Sequence, residues 1–166
     1  MSHTNKLIGL RQELEHVEAY IKVVNFKENL TVHLTTVIED DSLHSIQIPQ
    51  LTLQPLVENA VKHGVNQTDA NIHVAITAQK TESAVMITVW DNGCGIPPTK
   101  VEDLNGKLRD GTLANDRIGL RNVNERLKLS FGDPYGLRLR SEAGRYTESI
   151  VCLPIIGEED AVPDDA

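Results

Sequence analysis

The chain has 166 residues, enough for one domain with a closed core. Hydrophobic residues at 40% and charged residues at 24% are the balance of a soluble globular protein. A net charge of −8 with no basic run argues against nucleic-acid binding, and two cysteines without metal-ligand spacing fit a reducing, cytoplasmic setting. The opening "MSHTNKLIGL" has no apolar core of a signal peptide, and no stretch approaches a membrane span.

Residues 7–24 repeat Leu7, Leu10, Leu14, Val17, Ile21 and Val24 at spacings of three and four, which predicts a packed helix with charges on its outer face. "LTVHLTTVI" alternates as a strand does, and "HSIQIPQ" is a short extended piece ended by Pro49. The next helix holds "LVENAVKHG", residues 56–64, with Thr52 as its expected cap and Pro55 in the first turn. "NIHVAITAQK" and "AVMITVW" alternate on either side of a polar turn and predict an antiparallel hairpin. Residues 92–116 lose periodicity and collect Gly, Pro, Asp and Asn, so a long loop is expected there. "IGLRNVNERLKLSFG" predicts a helix, and "GLRLRSE" and "TESIVCLP" predict two closing strands. The tail "GEEDAVPDDA" has no apolar period and reads as disordered. These elements make an α+β sandwich, one mixed sheet covered on one face by helices.

Three stretches hold groups suited to ligand chemistry. Leu56, Val57, Ala60 and Val61 form an apolar helix face, leaving Glu58 over Lys62 and Asn59 over His63 on the polar side. Taken alone, that face fits plain solvation as well as binding. "WDNGCGIP" places Asp91 at a strand end before Gly93 and Gly95, where a carboxylate can accept from an exocyclic amine. It also fits an ordinary Asn-Gly turn. "DRIGLRNVNERL" opens a helix after the loop, where backbone amides form an anion site beside Gly119; a plain helix start is the alternative.

In that order, the three stretches resemble the GHKL (Bergerat-fold) ATPases. "LQPLVENAVKHG", "DNGCGIP" and "IGLRNVNERL" resemble more narrowly the ATP-binding domain of LytS-type sensor histidine kinases, over about residues 10–155. The resemblance implies a Bergerat-fold two-layer sandwich with a mixed, mostly antiparallel sheet and an ATP lid over roughly 97–117. It implies a helix over 1–25 continuing from an absent dimerisation and phosphoacceptor region, a catalytic domain over 26–156 and an acidic tail over 157–166. Asn59 would hold Mg2+, Lys62 and His63 would face the phosphates, and Asp91 would read adenine beside Gly93, Gly95 and Ile96. Arg117, Gly119 and Leu120 would form the phosphate side, with Thr147 near the adenine. The implied reaction is transfer of the γ-phosphoryl group of ATP to a histidine on the absent domain. His3 and His16 lack the acceptor's context.

The implied partners are ATP or ADP, that phosphoacceptor domain and, indirectly, a response regulator. The parent would be a homodimer, anchored in the inner membrane by a part outside this chain. Relatives that hydrolyse ATP or phosphorylate serine have a general-base Glu four residues before the metal Asn; here Pro55 stands there, and Glu58 is expected to point elsewhere. Two positions depart from the family: Arg117 begins a Gly-x-Gly-Leu box and Tyr146 precedes Thr147 where Gly is usual. Both would put bulk beside the nucleotide; Arg117 would be strained if its φ is positive, while its guanidinium could instead clamp the β- or γ-phosphate. They motivate an alternative: a degenerate domain acting through protein contacts.

Overall fold

The computed structural model describes residues 6–65, 71–114 and 117–155. The expected acidic tail lies outside them. Strand β1 (Leu7–Gly9) pairs antiparallel with β3 (Gln47–Pro49) in a small two-stranded sheet. The main sheet has five strands in the order β2-β4-β5-β7-β6, namely Thr31–Ile38, Asn71–Lys80, Val85–Asp91, Tyr146–Leu153 and Gly136–Glu142. β2 runs parallel to β4, and the other three pairings are antiparallel. The mixed, mostly antiparallel sheet is as expected.

Period-two alternation gives the sheet one apolar face. Ile72, Val74, Ile76 and Ala78 on β4 and Val85, Ile87 and Val89 on β5 are buried in a single core. Helices α1 (Leu10–Lys27), α2 (Leu53–Val65) and α4 (Ile118–Phe131) supply the other half. α1 contributes Leu10, Leu14, Val17 and Ile21, and α2 contributes Leu53, Leu56, Val57, Ala60 and Val61. Each fully buried Leu, Ile or Val side chain stabilises by about 1.5–3 kcal/mol. The apolar face of α2 therefore commits its polar face outward.

Several expectations change. The first helix begins at Leu10, not at residue 7, because Leu7–Gly9 is drawn into pairing with β3. Residues Asp41–Ser45 form a short 3-10 helix that alternation did not reveal. The expected long loop contains a 13-residue helix, α3 (Pro98–Asp110), which buries Leu104 and Leu108. Its signals were present: Pro98 opens it, and Gly111 closes it at φ 71°, its amide bonding the Leu108 and Lys107 carbonyls. Thr52 does not cap α2 with its side chain. Its hydroxyl donates to the Pro49 carbonyl, and the opening amides are taken by Glu13 from α1.

Glu13 is fully buried. Its Oε1 accepts from the amides of Thr52 (2.7 Å) and Leu53 (2.9 Å), and its Oε2 from Leu51 (3.3 Å). A carboxylate at a helix start also meets the positive end of the helix dipole. α1 thereby fixes where α2 begins.

At each edge of the large sheet an asparagine pairs with the backbone of one edge residue. Asn25 on α1 accepts from the Val32 amide (2.8 Å) and donates to its carbonyl (3.1 Å). Asn105 on α3 does the same to Leu139 on β6, at 2.7 and 2.8 Å. Each amide side chain imitates a neighbouring strand and satisfies backbone groups an edge leaves open.

Candidate functional site

The polar face of α2 lines a cleft of about 1130 Å³, together with α1 and the start of α4. Pro55, Glu58, Asn59, Lys62 and His63 run along its wall, as positions i, i+3, i+4, i+7 and i+8 of one helix must. Arg117, Ile118, Gly119 and Leu120 form a further part of its rim. The start of α4 has no side-chain cap among the described residues, so its first amides are available at that rim. A Cβ added at Gly119 would meet nothing within 4 Å, so packing does not demand glycine there.

Two expectations are corrected at this cleft. Glu58 does not point elsewhere: it lines the same wall as Asn59, where Gln54 donates to it at 3.3 Å. Arg117 sits at φ −113°, ψ 41°, so its side chain costs no left-handed strain. His63 is half-buried and held below its usual pKa, by burial first and then by the nearby charges of Arg117 and Lys62. Both effects disfavour its charged form.

Asp91 ends β5 with 4% of its surface exposed. Burial lifts its pKa to about 6, against the opposing effect of the Gly93 amide, which donates to Oδ1 at 2.8 Å. No cation among the described residues balances it. Gly93 lies between Asp91 and α2: a Cβ there would stand 2.7 Å from Asp91 Oδ1 and 3.4 Å from the His63 Cβ. Glycine at 93 therefore lets the strand end and the helix face come together.

The wall beside Asp91 is built from β6 and β7. Register puts Thr147 directly opposite Asp91, and Thr147 Oγ1 is 3.1 Å from Ser141 Oγ. Ser141 Oγ accepts from the Ile96 amide (2.7 Å) and donates to the Tyr146 carbonyl (2.6 Å). Gly95 stands at φ 72°, and a Cβ on it would collide with the Glu142 carbonyl. Ser141 was missed by sequence reasoning; only its register position reveals that it ties the glycine turn to the Thr147 strand. Tyr146 also differs from expectation. Its neighbour Thr147 faces the core, so strand alternation puts the Tyr146 side chain on the other face of the sheet, not beside Asp91.

The fold thus gathers Asn59, Lys62, His63, Arg117, Gly119 and Leu120 around one cleft. Asp91, Gly93, Gly95, Ile96 and Thr147 form an adjoining wall, joined to the cleft through the Gly93–His63 approach. A separate groove of about 480 Å³ between α3 and β6, lined by Arg109, Arg138 and Arg140, touches none of them. Among the described residues no group of three or more His, Cys, Asp or Glu is placed to hold a metal.

The profile of the histidine kinase-, DNA gyrase B- and HSP90-like ATPases matches residues 45–156, which takes in α2, the end of β5 and the start of α4. The chain belongs to this ATPase family. The family's matched range excludes α1, although α1 shares the domain's core and positions α2. Among curated proteins, the chain is similar to the sensor histidine kinase YesM of Bacillus subtilis, 34% identical over 152 residues. That match covers 92% of this chain and 25% of YesM. The sensor protein LytS of Oceanobacillus iheyensis is 33% identical over 141 residues, 83% of this chain and 24% of LytS. The chain spans about a quarter of the length of these relatives. The catalytic domain of histidine kinase ThkA in a nucleotide-free form shares the fold at TM-score 0.67 and 17% identity, over 92% of this chain and 98% of that one. Among the described residues no helix is long and apolar enough to cross a membrane.

Proposed function

We propose that this ATPase-family domain binds MgATP and donates its γ-phosphoryl group to a histidine on a separate domain of a sensor kinase. The observation that carries the reading is the buried Asp91 carboxylate, without a cationic partner, opposite Thr147 and joined through Gly93 to the cleft along α2. A carboxylate kept dry and short of hydrogen bonds suits an exocyclic amine donor, and adenine offers one.

In this reading the adenine occupies the wall of Asp91, Gly93, Gly95, Ile96 and Thr147. The phosphates run along α2 toward Lys62, Arg117 and the amides of Gly119 and Leu120, where a helix start favours anions. His63 would donate a ring N–H to the phosphates. Asn59 would hold magnesium through its side-chain oxygen, which suits a hard cation that keeps phosphate and water ligands; when bound, the ion offsets phosphate charge. Pro55 offers no proton acceptor where hydrolytic relatives have a Glu, which favours transfer to an intrinsically nucleophilic imidazole over water.

α1 would follow the dimerisation and phosphoacceptor region, with the strand Leu7–Gly9 interrupting the continuous helix expected over residues 1–25; 26–156 would be the catalytic unit, and 157–166 a solvating tail. The parent would be a homodimeric kinase with its catalytic part in the cytoplasm, passing phosphate on to a response regulator. Calorimetric titration with ADP and ATP, with and without magnesium, tests the reading. Nucleotide binding that strengthens with magnesium is expected; a chain that takes up no adenine nucleotide would leave the degenerate-domain alternative standing.

A further inference from the structure

The cleft is electrically divided along its length. Lys62, Arg117 and the α4 amides make one part positive. The part walled by α1 holds two carboxylates, Glu28 and Glu58, beside the half-buried Tyr20. Tyr20 is raised above its usual pKa, first by burial and then by Glu58 and Glu28, so both carboxylates direct their field at the same spot. Among the described residues Glu58 has no cation bonded to it, and its one hydrogen bond comes from the neutral Gln54 side chain.

A carboxylate on this wall is an odd feature for a cleft that takes a triphosphate, because it repels the phosphates. It is next in sequence to Asn59 and one helical turn before Lys62, so it cannot be far from whatever those residues hold. Nucleotide anchored at Asp91 enters from the His63 end of α2 and extends its phosphates toward Asn59. The terminal phosphate then approaches the anionic part of the cleft. A group that gains positive charge during reaction is stabilised there, and an attacking imidazole is such a group.

Resting on the phosphotransfer reading above, we infer that Glu58 positions the acceptor imidazole: its carboxylate accepts a hydrogen bond from the ring N–H opposite the attacking nitrogen. In the forward step the unprotonated ring nitrogen supplies its electron pair to the γ-phosphorus, forming the N–P bond. The bond from phosphorus to the bridging oxygen breaks, and its electron pair leaves on ADP. The ring N–H keeps its proton on a ring that is now cationic, paired with the Glu58 carboxylate. In reverse, MgADP takes the phosphoryl group from an N-phosphoimidazolium and releases neutral imidazole. Glu58 acts through charge and orientation, a role separate from binding the nucleotide.

The reverse step gives a test that uses the chain as it stands. N-phosphoimidazole and MgADP are supplied to wild type, Glu58→Gln and Glu58→Asp, and ATP formation is followed by luciferase. MgADP affinity is measured in parallel by calorimetry. Wild type is expected to form ATP above the protein-free rate, with Glu58→Gln at least about tenfold slower, Glu58→Asp intermediate, and MgADP affinity within about twofold throughout. The KM for N-phosphoimidazole should rise in Glu58→Gln while that for MgADP stays. An unchanged rate in Glu58→Gln, a wild type no faster than the blank, or a parallel loss of MgADP affinity would each overturn the assignment. Failure of wild type to bind MgADP at all would instead remove the nucleotide reading on which it rests.

Discussion

Asp91 and Thr147 are register partners across β5 and β7, and both are buried at the same end of the sheet. The pair brings a carboxylate that has no cationic partner among the described residues against a hydroxyl 3.1 Å from that of Ser141. Asp91→Asn is expected to weaken adenine nucleotide binding by about 10- to 100-fold, the equivalent of losing a charge-assisted hydrogen bond of about 1.5–3 kcal/mol. The same variant should be more stable than wild type at pH 7, because it removes a buried charge with few partners. Calorimetry and urea denaturation on one preparation check both. Equal affinity in wild type and variant would remove Asp91 from the adenine wall.

The pH dependence follows from the same carboxyl. Its folded pKa of about 6 stands above its ordinary value of 3.8, so the folded state binds the proton more tightly. Stability therefore falls as pH rises from about 4 to about 6 and levels off above that, with a full effect of about 3 kcal/mol from this group alone. Asp91→Asn should flatten that part of the stability profile. Nucleotide affinity should run the other way, increasing from pH 5 to pH 7 as the acceptor ionises. Titrations at several pH values, with Asp91→Asn as control, separate the two trends.

Glu13 is the joint between α1 and α2. In Glu13→Gln the amide nitrogen of the new side chain would face the Leu51 amide, donor against donor, if its oxygen stays on Thr52 and Leu53. The expected loss is about 2 kcal/mol, and more for Glu13→Ala, which orphans the buried amides. A shift in urea midpoint with unchanged slope is the expected signature. A loss below about 0.5 kcal/mol would mean that water replaces the carboxylate at no cost.

Asn105 holds α3 to the edge backbone of β6 at Leu139. Asn105→Leu keeps the branched shape and heavy-atom count of the side chain, adds bulk, and removes both hydrogen bonds to Leu139. Amide hydrogen exchange should then rise across α3 and at Leu139 while the centre of β5 stays protected. Uniform change over the whole sheet would show that α3 is not a separate unit of stability.

Arg117 at φ −113° has no strain for glycine to relieve. Arg117→Gly should therefore lower ATP affinity severalfold, through loss of a guanidinium at the phosphate rim, and ADP affinity less. Improved affinity in the variant would contradict the backbone geometry as the deciding factor.

Local periodicity was enough to recognise α2, α4, the β4–β5 hairpin and the two closing strands, because each has to bury one face and its apolar spacing states which. It also placed Asn59 and His63 on one polar edge and Asp91 at a strand end, since helix and strand geometry carry side chains to determined positions. α3 escaped notice because its Gly, Pro and Asn content resembles a loop, and only docking on β6 gives Leu104 and Leu108 a place to be buried. The parallel pairing of β2 with β4, the Glu13 cap of α2 and the Ser141 link between Ile96 and Thr147 join residues far apart in the chain. The spacing of residues along a chain contains no term for such contacts. Whether Arg117 is strained and which way Tyr146 and Glu58 face depended likewise on backbone angles and strand register, and those are set when the sheet closes against its helices.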